Sequence, residues 1–295
     1  MPDTTTTGPG TTGPGTTGPG TTGPGTTGPG TTGPALLELD GISKSFGRVV
    51  VANNLSLRVG EADMIGIVGP NGAGKTSLFS LISGDLEPDA GQIRLGGTVI
   101  TRQGAAARCR LGVGRTYQVP RPFGAMTVFE NVLVAVQQGA GLRRRASYQR
   151  AAAILARAGL AAEANSPAER LGLLARKRLE LARALATGPR LLLLDEVAGG
   201  LTDPEVAQLV EIVSAIRADG IAIIWIEHVV RALTGSVQRL LCLAGGTFVG
   251  DGSPAEVLAQ PAVREVFLGT EVTTSLAGPA TTTASDGGQP EGQGE

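Results

Sequence analysis

Nine consecutive residues, Gly69-Pro70-Asn71-Gly72-Ala73-Gly74-Lys75-Thr76-Ser77, place glycine, lysine and threonine at the spacing G-x-x-x-x-G-K-[ST]. Glycines let successive backbone N–H groups turn inward around phosphate oxygens, and a helix starting at the same point adds partial positive charge. In such a P-loop Lys75 reaches the outer phosphates and the Thr76 hydroxyl serves Mg²⁺. The flanks agree with that reading. Met64-Ile65-Gly66-Ile67-Val68 before the loop reads as a buried strand, and Leu78-Phe79-Ser80-Leu81-Ile82 after it as the first turns of a helix. The implied chemistry is nucleotide-phosphate binding.

A second constellation adds hydrolysis. Leu191-Leu192-Leu193-Leu194 reads as a fully buried parallel strand, and it ends in Asp195-Glu196. There Asp195 is placed to serve Mg²⁺, directly or through water, and Glu196 to orient or deprotonate an attacking water. Gln118 follows Gly114-Arg115-Thr116-Tyr117 and is placed to sense Mg²⁺ and the γ-phosphate. His228 is the chain's single histidine and follows Trp225-Ile226-Glu227 at a strand end, where open α/β sheets hold ligands.

The elements that must carry these groups alternate between strand and helix. Leu36–Leu39 and Leu55–Val59 alternate apolar and polar residues, as half-buried antiparallel strands do. Gly91–Gly97 reads as a short strand and turn, Pro204–Ala218 as a helix, Ile221–Ile226 as a buried strand, and weaker strands fall near Leu240 and Phe248. The Ala-, Leu- and Arg-rich segment from Ala105 to Arg183 reads as a mainly helical insertion, clearest over Val128–Gln137 and Tyr148–Leu160. Together these imply an α/β fold: a parallel sheet with helices on both faces, an antiparallel β part and an α-helical subdomain.

Both ends fall outside that fold. Gly8–Pro34 repeats Gly-Pro-Gly-Thr-Thr without charge or large apolar residue, so residues 1–34 are expected to be a disordered tail. Residues 271–295 are expected to be a second one, leaving 35–270 as the folded nucleotide-binding domain with its helical subdomain at about 105–183. A net charge of −1 gives no case for nucleic-acid binding. Two cysteines, Cys109 and Cys242, match no zinc or redox spacing and are expected to be buried or semi-buried thiols. The longest apolar runs are strand-length, so any membrane association is expected to go through a partner.

The order Gly69–Ser77, Gln118, Leu171–Leu185, Leu191–Glu196 and His228 resembles the nucleotide-binding subunit of an ABC transporter. Within that superfamily, Gly114–Phe123, Met126–Val132 and Val266-Phe267-Leu268-Gly269 are similar to the branched-chain amino-acid importer ATPases. The resemblance implies a P-loop NTPase core of the ABC type. It gives the backbone from Asn71 to Ser77, with Gly69, Gly72, Ala73, Gly74 and Lys75, to the phosphates of ATP. Thr76, Gln118 and Asp195 are implied to serve Mg²⁺, Glu196 to be the general base, and His228 to contact the γ-phosphate. Phe46 falls where the family stacks an aromatic on adenine, the alternative being an ordinary core Phe. Implied partners are integral membrane permease subunits and, indirectly, an extracytoplasmic solute-binding protein, with the chain peripheral on the cytoplasmic face of the membrane. Arg121-Pro122-Phe123 lies where the family receives a helix of the membrane subunit.

One departure matters. The family signature Leu-Ser-Gly-Gly-Gln reads here Leu171-Gly172-Leu173-Leu174-Ala175. Gly172 supplies no hydroxyl, and Leu174 is bulky where close backbone approach is needed. Val197 replaces the usual proline after Glu196, and Thr202 stands where aspartate is common. These departures imply a head-to-tail heterodimer in which a second ATPase subunit supplies the intact signature facing Lys75. The alternatives are a regulatory nucleotide-binding subunit with low hydrolysis and a soluble ABC-type ATPase. A GTPase is disfavoured because no Asn-Lys-x-Asp motif occurs.

Overall fold

A computed structural model describes residues 34–142 and 144–266. Residues 1–33 and 271–295 of the two expected tails lie outside the described residues, as do Arg143 and the Phe267-Leu268-Gly269 end of the resembling segment.

The long strands β1 (Ala35–Phe46) and β2 (Val49–Gly60) form an antiparallel hairpin. β4 (Ala90–Leu95) and the short β5 (Thr98–Val99) extend it to a four-stranded sheet of order β2-β1-β4-β5. The second sheet has six strands in the order β10-β9-β3-β8-β7-β6. Its parallel centre is β3 (Met64–Val68), β6 (Val113–Arg115), β7 (Leu191–Asp195), β8 (Ala222–Ile226) and β9 (Arg239–Ala244), with β10 (Thr247–Gly252) antiparallel at one edge.

Successive side chains of a strand point to opposite faces, so each central strand feeds two cores. Ile65 and Ile67 of β3, Leu191 and Leu193 of β7, and Ile224 and Ile226 of β8 pack with α1 (Lys75–Ser83) and the antiparallel sheet. Met64, Val68, Leu192, Leu194, Ile223 and Trp225 face the other way. They pack with α3 (Val128–Gln138), α4 (Arg144–Arg157), α5 (Leu173–Ala186) and α6 (Asp203–Ala218). Burial on both faces explains why these strands read as unbroken apolar runs.

Within the segment from Ala105 to Arg183, read as mainly helical, one stretch is a strand of the parallel sheet. After α2 (Ala105–Arg110), residues Val113–Arg115 form β6 and pair in parallel with Leu191–Leu193 of β7. The helical part therefore starts beyond Arg115. Three residues are too few to show a strand period, which is why the pattern passed as helix. Local start signals are otherwise clear. The Thr127 hydroxyl accepts from the Glu130 N–H at 3.1 Å while the Glu130 carboxylate accepts from the Thr127 N–H at 2.8 Å, a reciprocal cap on α3. Glu205 likewise accepts from the Thr202 N–H and hydroxyl at 2.8 Å, so Thr202 starts α6 without the aspartate common there.

No helix among the described residues is long and apolar enough to cross a membrane. Both cysteines are free thiols; Cys109 is half-buried and Cys242 buried. Burial pushes the Cys242 thiol up to about 11. Iodoacetamide at neutral pH is accordingly expected to alkylate Cys109 and spare Cys242 in the folded chain. Intact-mass spectrometry before and after unfolding reads this as one adduct becoming two.

Candidate active site: the carboxyl edge of the parallel sheet

The four segments singled out for phosphate binding and hydrolysis leave the C-terminal ends of parallel strands. The loop Gly69–Gly74 leaves β3, Thr116–Gln118 leaves β6, Glu196 leaves β7, and Glu227-His228 leaves β8. Ligands sit at this edge of open α/β sheets because loops, and not helix sides, surround it.

The phosphate loop has the backbone its glycines allow. Gly69, Gly72 and Gly74 have φ of 151°, 78° and 102°, all in the region that favours glycine. A side chain at Gly69 would strike the Leu243 carbonyl, and one at Gly74 the Val51 carbonyl. The loop thus turns tightly against β9 and the hairpin before α1 begins at Lys75. The Lys75 ammonium donates back to the Gly69 and Pro70 carbonyls at 2.7 and 2.9 Å. Burial draws its pKa below the ordinary lysine value, while Glu196 and Asp195 pull the other way. Thr76 is exposed at the head of α1 and lines a cavity of about 710 Å³ with Arg115, Gln118 and Asp195.

The acidic pair at the end of β7 divides its labour. Asp195 is 2% exposed; its Oδ2 lies 3.2 Å from Arg115 Nη2, and its Oδ1 is buried without a hydrogen-bond partner. Burial raises its pKa, and the Arg115 hydrogen bond and charge oppose that rise. A buried carboxylate oxygen left unpaired beside a threonine and a glutamine suits a hard cation with oxygen ligands. Thr76, Gln118 and Asp195 therefore fit Mg²⁺.

Glu196 turns away from the strand with φ 48°. Its N–H donates to the Ile226 carbonyl at 2.9 Å, which locks the turn against β8. Its carboxylate is held from both sides, by His228 Nε2 at 2.6 Å and by Gln118 Nε2 at 2.5 Å. The structure thus brings Gln118, Glu196 and His228 into one contact set, although they lie far apart in the chain. Phe46 stands apart at the end of β1. It is 48% exposed, so it is no core residue, and the Lys44 ammonium lies 5.6 Å from its ring centroid.

Four further residues complete the site. Arg115 bonds Ser80 and Ser83 on α1 and Asp85 beyond it, each at 3.1 Å, and lies between the rings of Phe79 and Tyr117. The Thr116 hydroxyl accepts from the Asp195 N–H at 3.1 Å. Glu227 is buried, and its Oε1 accepts from Trp225 Nε1 at 3.0 Å and from the Ala198 N–H at 2.7 Å. Burial raises its pKa against those hydrogen bonds. Lys177 of α5 is the fourth; it donates to the Gln118 and Glu196 carbonyls at 3.0 and 3.1 Å. Sequence reasoning passed over these four. For Lys177 a signal existed, because it shares a helix face with the buried Leu181 and Ala184. No spacing rule connects Arg115 to Asp195, or Glu227 to the Ala198 N–H it accepts from.

The family profile described as ABC transporter matches residues 52–199. The high-affinity branched-chain amino acid transport ATP-binding protein LivG of Salmonella typhimurium is 35% identical over 249 residues, covering 79% of this chain and 98% of the relative. The chain belongs to the ATP-binding subunits of ABC transporters. The lipopolysaccharide export system ATP-binding protein LptB of Acidithiobacillus ferridurans is 36% identical, covering 79% of the chain and 97% of that protein. Among solved structures, the ADP conformation of MJ1267, an ATP-binding cassette of an ABC transporter, superposes with a TM-score of 0.74 at 27% identity, covering 80% of this chain and 99% of that one. The phosphate loop and the acidic strand end are therefore those of an ABC-type ATPase, and the fold expected from the sequence is the one observed.

Replacing Glu196 by Gln keeps the side-chain shape but removes the carboxylate that would act as the base. Turnover of ATP by this ATPase is expected to fall at least ~100-fold while nucleotide still binds. Phosphate release, run beside a fluorescent-nucleotide titration, checks both halves.

Proposed function

We propose that this ABC ATPase powers an importer for branched-chain amino acids or related amides, as a peripheral subunit on the cytoplasmic face of the membrane. The observation that carries the hydrolytic part is the convergence of Gln118 and His228 on the Glu196 carboxylate. The solute class rests on two supports. One is the likeness of Gly114–Phe123 and Met126–Val132 to importer ATPases; the other is the coverage of LivG and of BraF from Pseudomonas aeruginosa, at 35% and 33% identity.

In this reading the N–H groups from Asn71 to Ser77 and the Lys75 ammonium hold the phosphates, and adenine stacks on Phe46. Thr76, Gln118 and Asp195 hold Mg²⁺, which when bound neutralises charge developing on the phosphate oxygens. Glu196 accepts a proton from the attacking water, and His228 donates toward the γ-phosphate. Gln118 and His228 bond different oxygens of the carboxylate, which leaves each oxygen a second lone pair to accept from an attacking water.

Permease subunits dock beside Gln118. Phe123 is 48% exposed there, with the Arg183 guanidinium 5.2 Å over its ring. It borders a groove of about 400 Å³ with Asn131, Ala135, Gln138 and Thr187. A solute-binding protein acts on the far side of the membrane, and nucleic acid has no part.

The signature segment supports a heterodimer. Gly172 starts α5 with no side-chain cap, and Leu173 is 46% exposed where the family presents a glycine. A second ATPase subunit with an intact signature then closes over Lys75, and this chain's own signature serves the opposite site weakly. ATP turnover by the purified chain is expected to be at least tenfold below that of the mixed pair. Equal rates would exclude the heterodimer, and negligible turnover by both would favour a regulatory subunit. Phe46→Ala is expected to weaken ATP binding roughly tenfold in a fluorescent-nucleotide titration, as loss of one base–aromatic stack should.

A further inference from the structure

α5 spans the helical subdomain from one contact surface to another. Its first residues, after Gly172, are the signature segment, and its last turn contributes Arg183 and Ala184 to the cleft walls beside Gln118. Lys177 lies one turn in from the start. Its ammonium is buried and leaves α5 altogether, ending on two carbonyls just beyond the ends of β6 and β7. One belongs to Gln118, the other to Glu196.

Burying an ammonium is unfavourable unless hydrogen bonds and charges replace its water. Here Glu227, Glu196, Asp195 and Glu180 surround it, yet desolvation remains the largest influence and draws its pKa below the ordinary lysine value. A methionine would fill the same space without that penalty. What a methionine lacks is the ability to fix two backbone segments at once. Those segments carry the two side chains whose separation defines the hydrolytic pair, Gln118 Nε2 and Glu196 Oε2. Glu196 also holds a backbone angle disfavoured for a non-glycine residue, φ 48°, which persists only where its surroundings hold it. Its N–H is held by Ile226, and its carbonyl accepts from Lys177 and from the Gly199 N–H.

We propose that Lys177 is a positioning residue that sets the geometry of the Gln118–Glu196 pair from helix α5. A shift or rotation of α5 changes both hydrogen bonds together, because both end on one ammonium. Contact at the signature end or the cleft end of α5 is thereby converted into alignment of the pair in the same subunit. This rests on the reading of Gln118 and Glu196 as the hydrolytic residues.

The test uses Lys177→Met and Lys177→Arg in the full chain, assembled with its second ATPase subunit and permease. K177M is expected to lower kcat at least tenfold with the KM for ATP within about twofold, and K177R to restore most of the rate. In a Gln118→Ala background K177M is expected to cost far less than alone, because part of its effect passes through Gln118. Hydrogen exchange of the isolated chain gives a readout independent of turnover. K177M is expected to speed amide exchange on the order of tenfold at residues 118–121 and 196–200, while the amides of α6 stay unchanged. Wild-type kcat in K177M, multiplicative losses in the double variant, or unchanged exchange at both segments would overturn the proposal. Uniformly faster exchange without rescue by K177R would mean a structural role only, and would overturn it too. If the unmodified assembly fails to hydrolyse ATP while K177M still loosens the two segments, the functional reading falls and the positioning role stands.

Discussion

Two adjacent carboxylates at the end of a strand of four leucines are the constraint around which this molecule is arranged. Asp195 is buried and Glu196 follows it at once, so negative charge accumulates where little water screens it. Three cations answer it from three directions. Arg115 bonds Asp195 from the end of β6, Lys75 approaches from the phosphate loop, and Lys177 caps the Glu196 carbonyl from α5. Each comes from a different element, so the acids fix where β6, the phosphate loop and α5 must stand. Arg115 extends that hold into α1 through Ser80 and Ser83, tying the acidic strand to the helix that opens on the phosphates.

The phosphate loop, the acidic strand end and most central strands were readable because each depends on a short run of residue types. Met64–Val68 and Leu191–Asp195 are buried on both faces and hence uniformly apolar. The loop needs glycine wherever φ is positive. What could not be read depends on contacts between distant segments. Arg115 meets Asp195 across 80 positions, and Lys177 meets Gln118 across 59. β6 hid for a different reason: three residues inside an alanine-rich stretch carry no period, and only pairing with β7 makes them a strand. Glu227 stood beside the histidine that drew attention, but nothing in a sequence shows a carboxylate turning back to bond Trp225 and Ala198.

The segment Leu171–Ala175 differs in sequence from the family signature, yet the helix behind it is intact. α5 still starts at Gly172 and keeps Leu179, Leu181 and Ala182 buried in the core. Packing of the helix and recognition by its first turn are thus separable. The first turn can change its residues while the remaining turns still anchor Lys177 beside Gln118 and Glu196.

Trp225 is the chain's single tryptophan, fully buried, with its indole N–H on the same Glu227 oxygen that accepts from Ala198. Movement of the loop at Ala198 disturbs that shared oxygen and alters the indole's electrostatic surroundings. The protein thus carries a built-in optical probe: its intrinsic indole emission comes from one chromophore, seated two hydrogen bonds from the turn that carries Glu196.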